Sequence, residues 1–277
     1  ELQTRTFYDL LGNAVASYDV TGALSQKTYD QLGRVTYEVD ALGYVTGYAR
    51  NTFGEVRVLT RYAQGTSLEA RTVNRAGQAV TGDTVEATLA AADFDHANDR
   101  TLTTSYDQAG RAELVQERSA AIFDPTAAEA QWRSERKTTR TAYNTFGEVV
   151  SSESLRNTDT DTWSLTTHYY DANGRQRASV DAAGYLTERT YDAFGNLASL
   201  TEYANAVGLR TATRYTRGAA SPDDRTIEYV HDKNNRRTHE RRMDVEYSVA
   251  ADGTTVRGNL VTRYEYDAVG NLTAQID

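Results

Sequence analysis

YDLLGNAVASYDVTGALSQKTYDQLGRVTYEVDALGYVTGYARNTFG, residues 8–54, decides the architecture of this 277-residue chain. Asp9, Asp19, Asp30, Asp40 and Asn51 fall at steps of 10, 11, 10 and 11 residues. Three positions after each stands a glycine: Gly12, Gly22, Gly33, Gly43 and Gly54. The segments between, Asn13–Tyr18, Ala23–Tyr29, Arg34–Val39 and Tyr44–Arg50, are short and strand-like in composition. A fixed period means one small structural unit repeated, here turn, strand, turn, strand. Asp or Asn at the first position of a turn accepts a hydrogen bond from the backbone N–H two residues on. Glycine at the fourth position tolerates φ > 0, which closes a hairpin as a type I turn with a G1 bulge.

The unit recurs along the chain. Tyr precedes the Asp and Gly follows it in Tyr8-Asp9…Gly12, Tyr29-Asp30…Gly33, Tyr106-Asp107…Gly110, Tyr170-Asp171…Gly174, Tyr191-Asp192…Gly195 and Tyr266-Asp267…Gly270. Asp40…Gly43, Asp181…Gly184 and Tyr143-Asn144…Gly147 are variants, and Arg34, Arg111, Asn196 or Asn271 follows the glycine. Tyr29-Asp30-Gln31-Leu32-Gly33-Arg34, Tyr106-Asp107-Gln108-Ala109-Gly110-Arg111 and Tyr191-Asp192-Ala193-Phe194-Gly195-Asn196 resemble the YD repeats of bacterial RHS proteins and their teneurin relatives. The resemblance runs from residue 8 to residue 271. It implies an all-β array of hairpins winding as a spiral sheet or shell, a β-solenoid-like wall. It further implies a structural role in a large secreted or cell-surface protein, with more copies of the repeat and an enclosed toxin domain as partners. RHS cores end in an Asp-Pro-x-Gly cleavage element, whereas Asp124-Pro125 is followed here by Thr126-Ala127. The alternative is an extracellular fibre or adhesin segment, joined head to tail and binding surface glycans; an enzyme ranks third.

A longer period overlies the short one. Asp40-Ala-Leu-Gly-Tyr-Val-Thr matches Asp181-Ala-Ala-Gly-Tyr-Leu-Thr at an offset of 141, as Tyr62-Ala63 matches Tyr203-Ala204. Tyr106-Asp107 corresponds to His231-Asp232 at an offset of 125. Residues 8–142 and 143–265 therefore read as two superrepeats of one array, with a third starting at 266–277. The chain opens inside a repeat and reads as a window on something longer. Residues 62–105 interrupt the array, with Val73–Gly77 as a degraded turn. Asp83-Thr84-Val85-Glu86 is a capping box and predicts a helix over 84–93. Asp124-Pro125-Thr126 predicts a second short helix over 125–134, anchored by Trp132. Residues 149–168 read as a longer hairpin with a polar tip at Asn157–Thr162.

Composition fits a wall better than a dense globule. Hydrophobic residues are 39% of the chain, mean hydropathy is −0.65, and 19 Tyr outnumber 6 Phe and 2 Trp. Such strands suit a sheet with water on at least one side. A net charge of −9 opposes nucleic-acid binding, which needs a concentrated basic surface. Only Lys27, Lys137 and Lys233 are lysines, so the arginines point to cross-strand Arg–Tyr and Arg–Glu ladders. Cysteine is absent, which excludes disulfides and thiol chemistry, and no run of about 18 apolar residues is present to span a membrane.

No catalytic residue, metal or cofactor is nominated. His96, His168, His231 and His239 are scattered, and His231 occupies the Tyr slot of a repeat. Gly-x-Ser-x-Gly, P-loop and Gly-x-Gly-x-x-Gly motifs are missing. The acidic loop Asn157-Thr158-Asp159-Thr160-Asp161 offers Asp159 and Asp161 as calcium ligands, and Asp93, Asp95, Asn98 and Asp99 form a second acidic cluster. Tyr at a regular place before each turn points to packing within the wall rather than to sugar stacking.

Overall fold

The computed structural model describes residues 3–66, 82–124, 131–157, 160–249 and 254–277. The expected turn at Val73–Gly77 lies outside them. The chain forms two compact units, Glu1–Arg140 with Leu155–Thr162, and Thr141–Ser154 with Trp163–Asp277.

The first unit begins with strands β1 (Arg5–Tyr8), β2 (Ala14–Tyr18), β3 (Leu24–Tyr29), β4 (Val35–Val39), β5 (Val45–Arg50) and β6 (Val56–Arg61). Helix α1 (Gly82–Leu89) follows, then β7 (Arg100–Tyr106) and β8 (Ala112–Glu117). Next come β9 (Ala120–Asp124), β10 (Gln131–Glu135) and β11 (Thr138–Tyr143). Successive strands β1 to β8 pair antiparallel, and β8 pairs with β11 through Thr138–Arg140. The strands in the quoted stretch start one residue later than the sequence suggests, because the residue after each glycine still belongs to the turn. Burial alternates as one-sided wetting demands; in β3, Leu24, Gln26 and Thr28 are buried while Ser25 and Lys27 are exposed.

The chain continues with β12 (Val149–Asn157), β13 (Thr162–Tyr170), β14 (Gln176–Val180), β15 (Leu186–Tyr191) and β16 (Leu197–Glu202). Then follow β17 (Leu209–Arg210), β18 (Tyr215–Thr216), β19 (Arg225–His231), β20 (Arg237–Val249), β21 (Thr255–Tyr266) and β22 (Leu272–Ile276). In the second unit β13 to β16 pair in sequence, β16 pairs with β19, and β19 to β22 continue the antiparallel order. The short hairpin β17–β18 stands apart from this ladder.

Among the described residues each unit buries a small apolar cluster beneath the insertion that interrupts its strands. In the first, Val39 and Val45 of the sheet meet Val85 and Leu89 of α1, flanked by Tyr37, Tyr62 and Phe94. Val85 and Leu89 are one helical turn apart and share a face. Burying each fully contributes about 2 kcal/mol. In the second unit Tyr169, Ala178, Val180 and Leu186 meet Tyr203, Val207 and Tyr215. The same backbone hydrogen bonds start both insertions. Tyr62 N donates to Val45 O and Thr66 N to Gly43 O; Tyr203 N donates to Leu186 O and Val207 N to Gly184 O. Asp99 Oδ1 then accepts from Ala63 N at 2.8 Å, as Asp224 Oδ1 does from Ala204 N at 2.9 Å.

The helix expected at 84–93 is observed at Gly82–Leu89, and its last turn tightens through Ala91 N to Thr88 O. His96 fixes that end. Its Nε2 lies 2.9 Å from Leu89 O and its Nδ1 lies 2.6 Å from Asp99 Oδ2. The second expected helix is corrected. Residues 131–135 are strand β10, paired with β9 from Gln131↔Asp124 to Glu135↔Ala120, and residues 125–130 lie outside the description. A proline start signal is a weak local preference, and here the neighbouring strand satisfies the backbone groups instead.

Within the cluster, one cross-strand pair is exchanged between the units. Tyr37 stands opposite Gly47, and at the positions 141 residues on Ala178 stands opposite Glu188. A Cβ on Gly47 would lie 3.0 Å from the Tyr37 ring and 3.3 Å from Tyr62. In the second unit Ala178 frees that space for Glu188, whose carboxylate accepts from Tyr203 Oη at 2.6 Å and Tyr215 Oη at 2.7 Å and pairs with Arg217 at 2.6 Å. Burial raises the Glu188 pKa, but Arg217 and the two hydroxyls outweigh it and hold the carboxyl below its usual value. Burial and this carboxylate push both tyrosines up to about 12.

Two measurements check this account. Gly22 (φ 83°) has nothing within 4 Å of an added Cβ, so Gly22→Ala is expected to cost about 1 kcal/mol of backbone strain alone. At Gly43 (φ 85°) the Cβ would fall on the backbone oxygen of Thr66, so Gly43→Ala is expected to lower the urea midpoint further; equal midpoints would refute the close approach. In the second unit, Ala178→Tyr and Glu188→Gly are each expected to destabilise. The double variant restores the pair of the first unit and is expected to lose about 1 kcal/mol less than the sum. A strictly additive cycle would refute complementarity.

Candidate functional site: a ladder of stacked turns

Among the described residues twelve turns share one hydrogen-bond pattern. In each, the first residue's N–H donates to the carbonyl four residues on, and the fourth residue's N–H donates to the first residue's carbonyl, as at Asp30 N to Arg34 O and Gly33 N to Asp30 O. The side-chain Oδ1 of the first residue accepts from the N–H two and four positions on. For Asp30 these donors are Leu32 and Arg34, both at 2.9 Å. Asp9, Asp40, Asp107, Asp171, Asp192 and Asp267 do the same, at distances of 2.8–3.0 Å. Gly12, Gly33, Gly43, Gly110, Gly174, Gly195 and Gly270 all have positive φ, 72° at Gly33 and 92° at Gly195. Asn235 fills the glycine place of the Asp232 turn with φ 61°.

The second carboxylate oxygen organises the residue after the glycine. Arg34 Nε donates to Asp30 Oδ2 at 2.7 Å, and Arg111, Arg175 and Arg236 repeat this on Asp107, Asp171 and Asp232. Asn196 and Asn271 donate to Asp192 and Asp267 at 2.9 Å. Where the turn opens with Asn, the polarity reverses: Asn51 and Asn144 donate Nδ2–H to Glu55 and Glu148. Sequence reading missed this exchange, although the paired change Asp…Arg to Asn…Glu was its signal.

Held in this way, several of these side chains reach the next turn on the same edge of the sheet. A Cβ on Gly54 would lie 2.7 Å from Arg34 Nη1, one on Gly110 2.6 Å from Glu55 Oε1, and one on Gly174 2.8 Å from Glu148 Oε1. Where Asn235 replaces glycine, Asn196 Nδ2 donates to its Oδ1 at 2.9 Å.

Tyr supplies a second rung. Tyr29 Oη donates to Ala14 O, Tyr106 to Val56 O, Tyr170 to Val149 O, Tyr191 to Gln176 O and Tyr266 to Arg237 O, all at 2.8–2.9 Å. Every acceptor is the first strand residue after the preceding turn of that edge. Arg50 takes the Tyr place before Asn51 and reaches Val35 O from Nη2 at 3.2 Å. Arg175 and Arg236 also lie over the Tyr191 and Tyr266 rings at 4.6 and 4.8 Å. Tyr8, on β1, is exposed. Asp40 and Gly43 belong to the opposite edge, where Tyr44 stands after the glycine in place of Arg or Asn.

Among the described residues no three His, Asp or Glu side chains are placed to hold a metal ion. Asp159 lies outside the description, and Asp161 sits at φ 48° at the edge of β13. In the second acidic cluster Asp99 is already engaged by Ala63 N and His96, and Asp95 accepts from Ala97 N at 2.8 Å.

Residues 170–220 match the RHS Repeat family model. The match starts at Tyr170-Asp171 and takes in three turns and the hairpin insertion. No curated protein matches the chain by sequence. Solved structures that match the chain include TcdB2-TccC3, at 14% identity and TM-score 0.47, over 99% of this chain and 15% of that one. TcdB2-TccC3 without its hypervariable C-terminal region is 14% identical with TM-score 0.25, over 98% of this chain and 18% of that one. The Tc holotoxin pore of Photorhabdus luminescens gives 14% identity and TM-score 0.21, over 98% and 17%. The chain thus spans less than a fifth of each of these structures.

The turns make stability acid-sensitive. Hydrogen bonds hold the carboxyls below their ordinary value of 3.8, from the Arg34 backbone first at Asp30 and from the arginine side chain first at Asp107, Asp171 and Asp232. A depressed folded pKa gives stability that is fully present above the unfolded value and is lost as pH falls through the folded one. Asp30→Asn and Asp171→Asn keep the Oδ1 acceptor, as Asn51 and Asn144 do. Both variants are expected to be less stable than the parent at pH 7, with the gap closing below about pH 4. Urea melts across pH 2.5–7 (about six steps) are the check, and a gap independent of pH would refute the linkage.

Proposed function

We propose that this chain is a structural segment of the wall of a large secreted or cell-surface protein, and that it carries out no catalysis. The observation that carries this reading is the turn ladder. Its carboxylates, amides, guanidinium groups and tyrosine hydroxyls are engaged in joining one hairpin to the next, so the residues most often repeated serve the sheet itself. The RHS Repeat match at 170–220 supports the same role. The partners of such a wall are further copies of the repeat on either side, and an enclosed toxin domain is the cargo that the family resemblance implies.

The test uses the intact protein that contains this segment. Electron microscopy is expected to place the strip within the wall of a particle. Peptide, ester, glycoside and phosphoester substrates are expected to give no turnover above a heat-denatured control. Turnover abolished by one substitution among His96, His168, His231 or His239 would overturn the proposal, as would finding the strip as a free appendage.

A further inference from the structure

The two units carry the same cavity with different charge. In the first it is ≈ 750 Å³ and is lined in part by Leu59, Arg61, Arg100, Leu102, Glu117 and Arg118. In the second it is ≈ 590 Å³, and the corresponding positions, 141 or 125 residues on, are Leu200, Glu202, Arg225, Ile227, Arg242 and Met243. Strand register explains the common shape. Leu59 stands opposite Leu102 and Arg61 opposite Arg100, just as Leu200 stands opposite Ile227 and Glu202 opposite Arg225. Residues directly opposite, and residues two apart, share one face of a sheet. Each cavity therefore has an apolar pair beside a charged pair. Alternation puts these residues on the face away from Tyr62 and Tyr203, hence away from the apolar clusters.

The units differ in this charged pair, and also where Glu117 and Arg118 of the first stand for Arg242 and Met243 of the second. The second unit opposes Glu202 to Arg225, whereas the first opposes two arginines, an arrangement that repels. Among the described residues no carboxylate lies within 4.0 Å of Arg61 or Arg100. The nearby acids are committed elsewhere: Asp99 to Ala63 N and His96, and Glu117 to Lys137 at 3.2 Å. Arg118 adds a third positive charge, held by hydrogen bonds of 2.9 Å to His96 O and Asp99 O. Two guanidinium forks thus face one open cavity with a hydrophobic wall beside them. Paired forks suit a doubly charged oxyanion, which each can grip with two parallel hydrogen bonds.

We propose that the cavity of the first unit binds a ligand through a phosphoryl-type oxyanion, held between Arg61 and Arg100, with Leu59 and Leu102 contacting its apolar part. The volume is that of a small-molecule site. The sister cavity, with Glu202 in place of the first arginine, does not bind the anion.

The experiment titrates the full chain with inorganic pyrophosphate at low ionic strength, by calorimetry and by melting temperature, against sodium chloride at matched ionic strength. Saturable binding and a rise in melting temperature beyond that in chloride are expected. Arg61→Glu recreates the pair of the second unit. It is expected to melt higher than the parent without anion, and to bind pyrophosphate roughly tenfold or more weaker. Arg100→Gln is read by the same criterion, which keeps the test decisive if Arg61→Glu fails to fold. A pyrophosphate effect no larger than that of chloride would overturn the proposal. So would equal binding by the parent and the variants.

Discussion

A carboxylate oxygen that accepts two backbone N–H groups, two and four residues ahead of it, is the interaction on which this structure rests. It closes each turn from within, and it does so at the solvent-exposed rim, where an apolar contact would contribute little. Closing the turn also fixes the direction of the side chain after the glycine. Arg34 bonds to Asp30 and in doing so arrives over Gly54. A local turn therefore becomes a connection between hairpins. The glycine serves twice, once for its positive φ and once for the room it leaves to a neighbour's side chain.

This arrangement explains how a chain of mean hydropathy −0.65 holds an extended sheet. Among the described residues each unit buries a small cluster of four core residues with three partly buried partners, and the first unit buries Val15, Ala16 and Leu24 besides. The remaining order comes from backbone pairing, from the turn ladder and from tyrosine hydroxyls on carbonyl groups. Apolar side chains at the turn tips, such as Leu32, Phe53, Phe146 and Phe194, stay exposed and take no part in either cluster.

Much of the fold was legible in the sequence because its signal is local and repeated. A spacing of 10 and 11 between Asp residues, each with glycine three places on, constrains turn, strand and register together. The capping box at Asp83–Glu86 also marked a helix, though the last expected turn is lost where His96 meets Leu89 O. The stretch after Asp124 failed for the opposite reason. Its start signal is a single proline, and pairing of residues 131–135 with 120–124 outweighs so weak a preference. In the second acidic cluster Asp99 is spent on a backbone N–H and a histidine, a pairing across 36 residues that the local run of acids does not show. Long-range matters were hidden: nothing in one repeat shows that Tyr191 reaches Gln176 O, or that Arg61 faces Arg100. Those facts depend on which strand lies beside which.

The exchange of Tyr37 and Gly47 for Ala178 and Glu188 also sets where such a gene can recombine with itself. A crossover inside the turn that links β4 to β5, joined to its counterpart between β14 and β15, sets Tyr37 against Glu188 in a slot sized for one of them. The reciprocal product sets Ala178 against Gly47 and leaves a void. A crossover at Asp30 or Asp171, one turn earlier, inherits both strands of that pair but splits the one before it, setting Tyr169 opposite Tyr37 in one product and Thr28 opposite Ala178 in the other. Three successive strands, β3 to β5 in one unit and β13 to β15 in the other, are therefore inherited together as one block, whichever edge carries the turn between them.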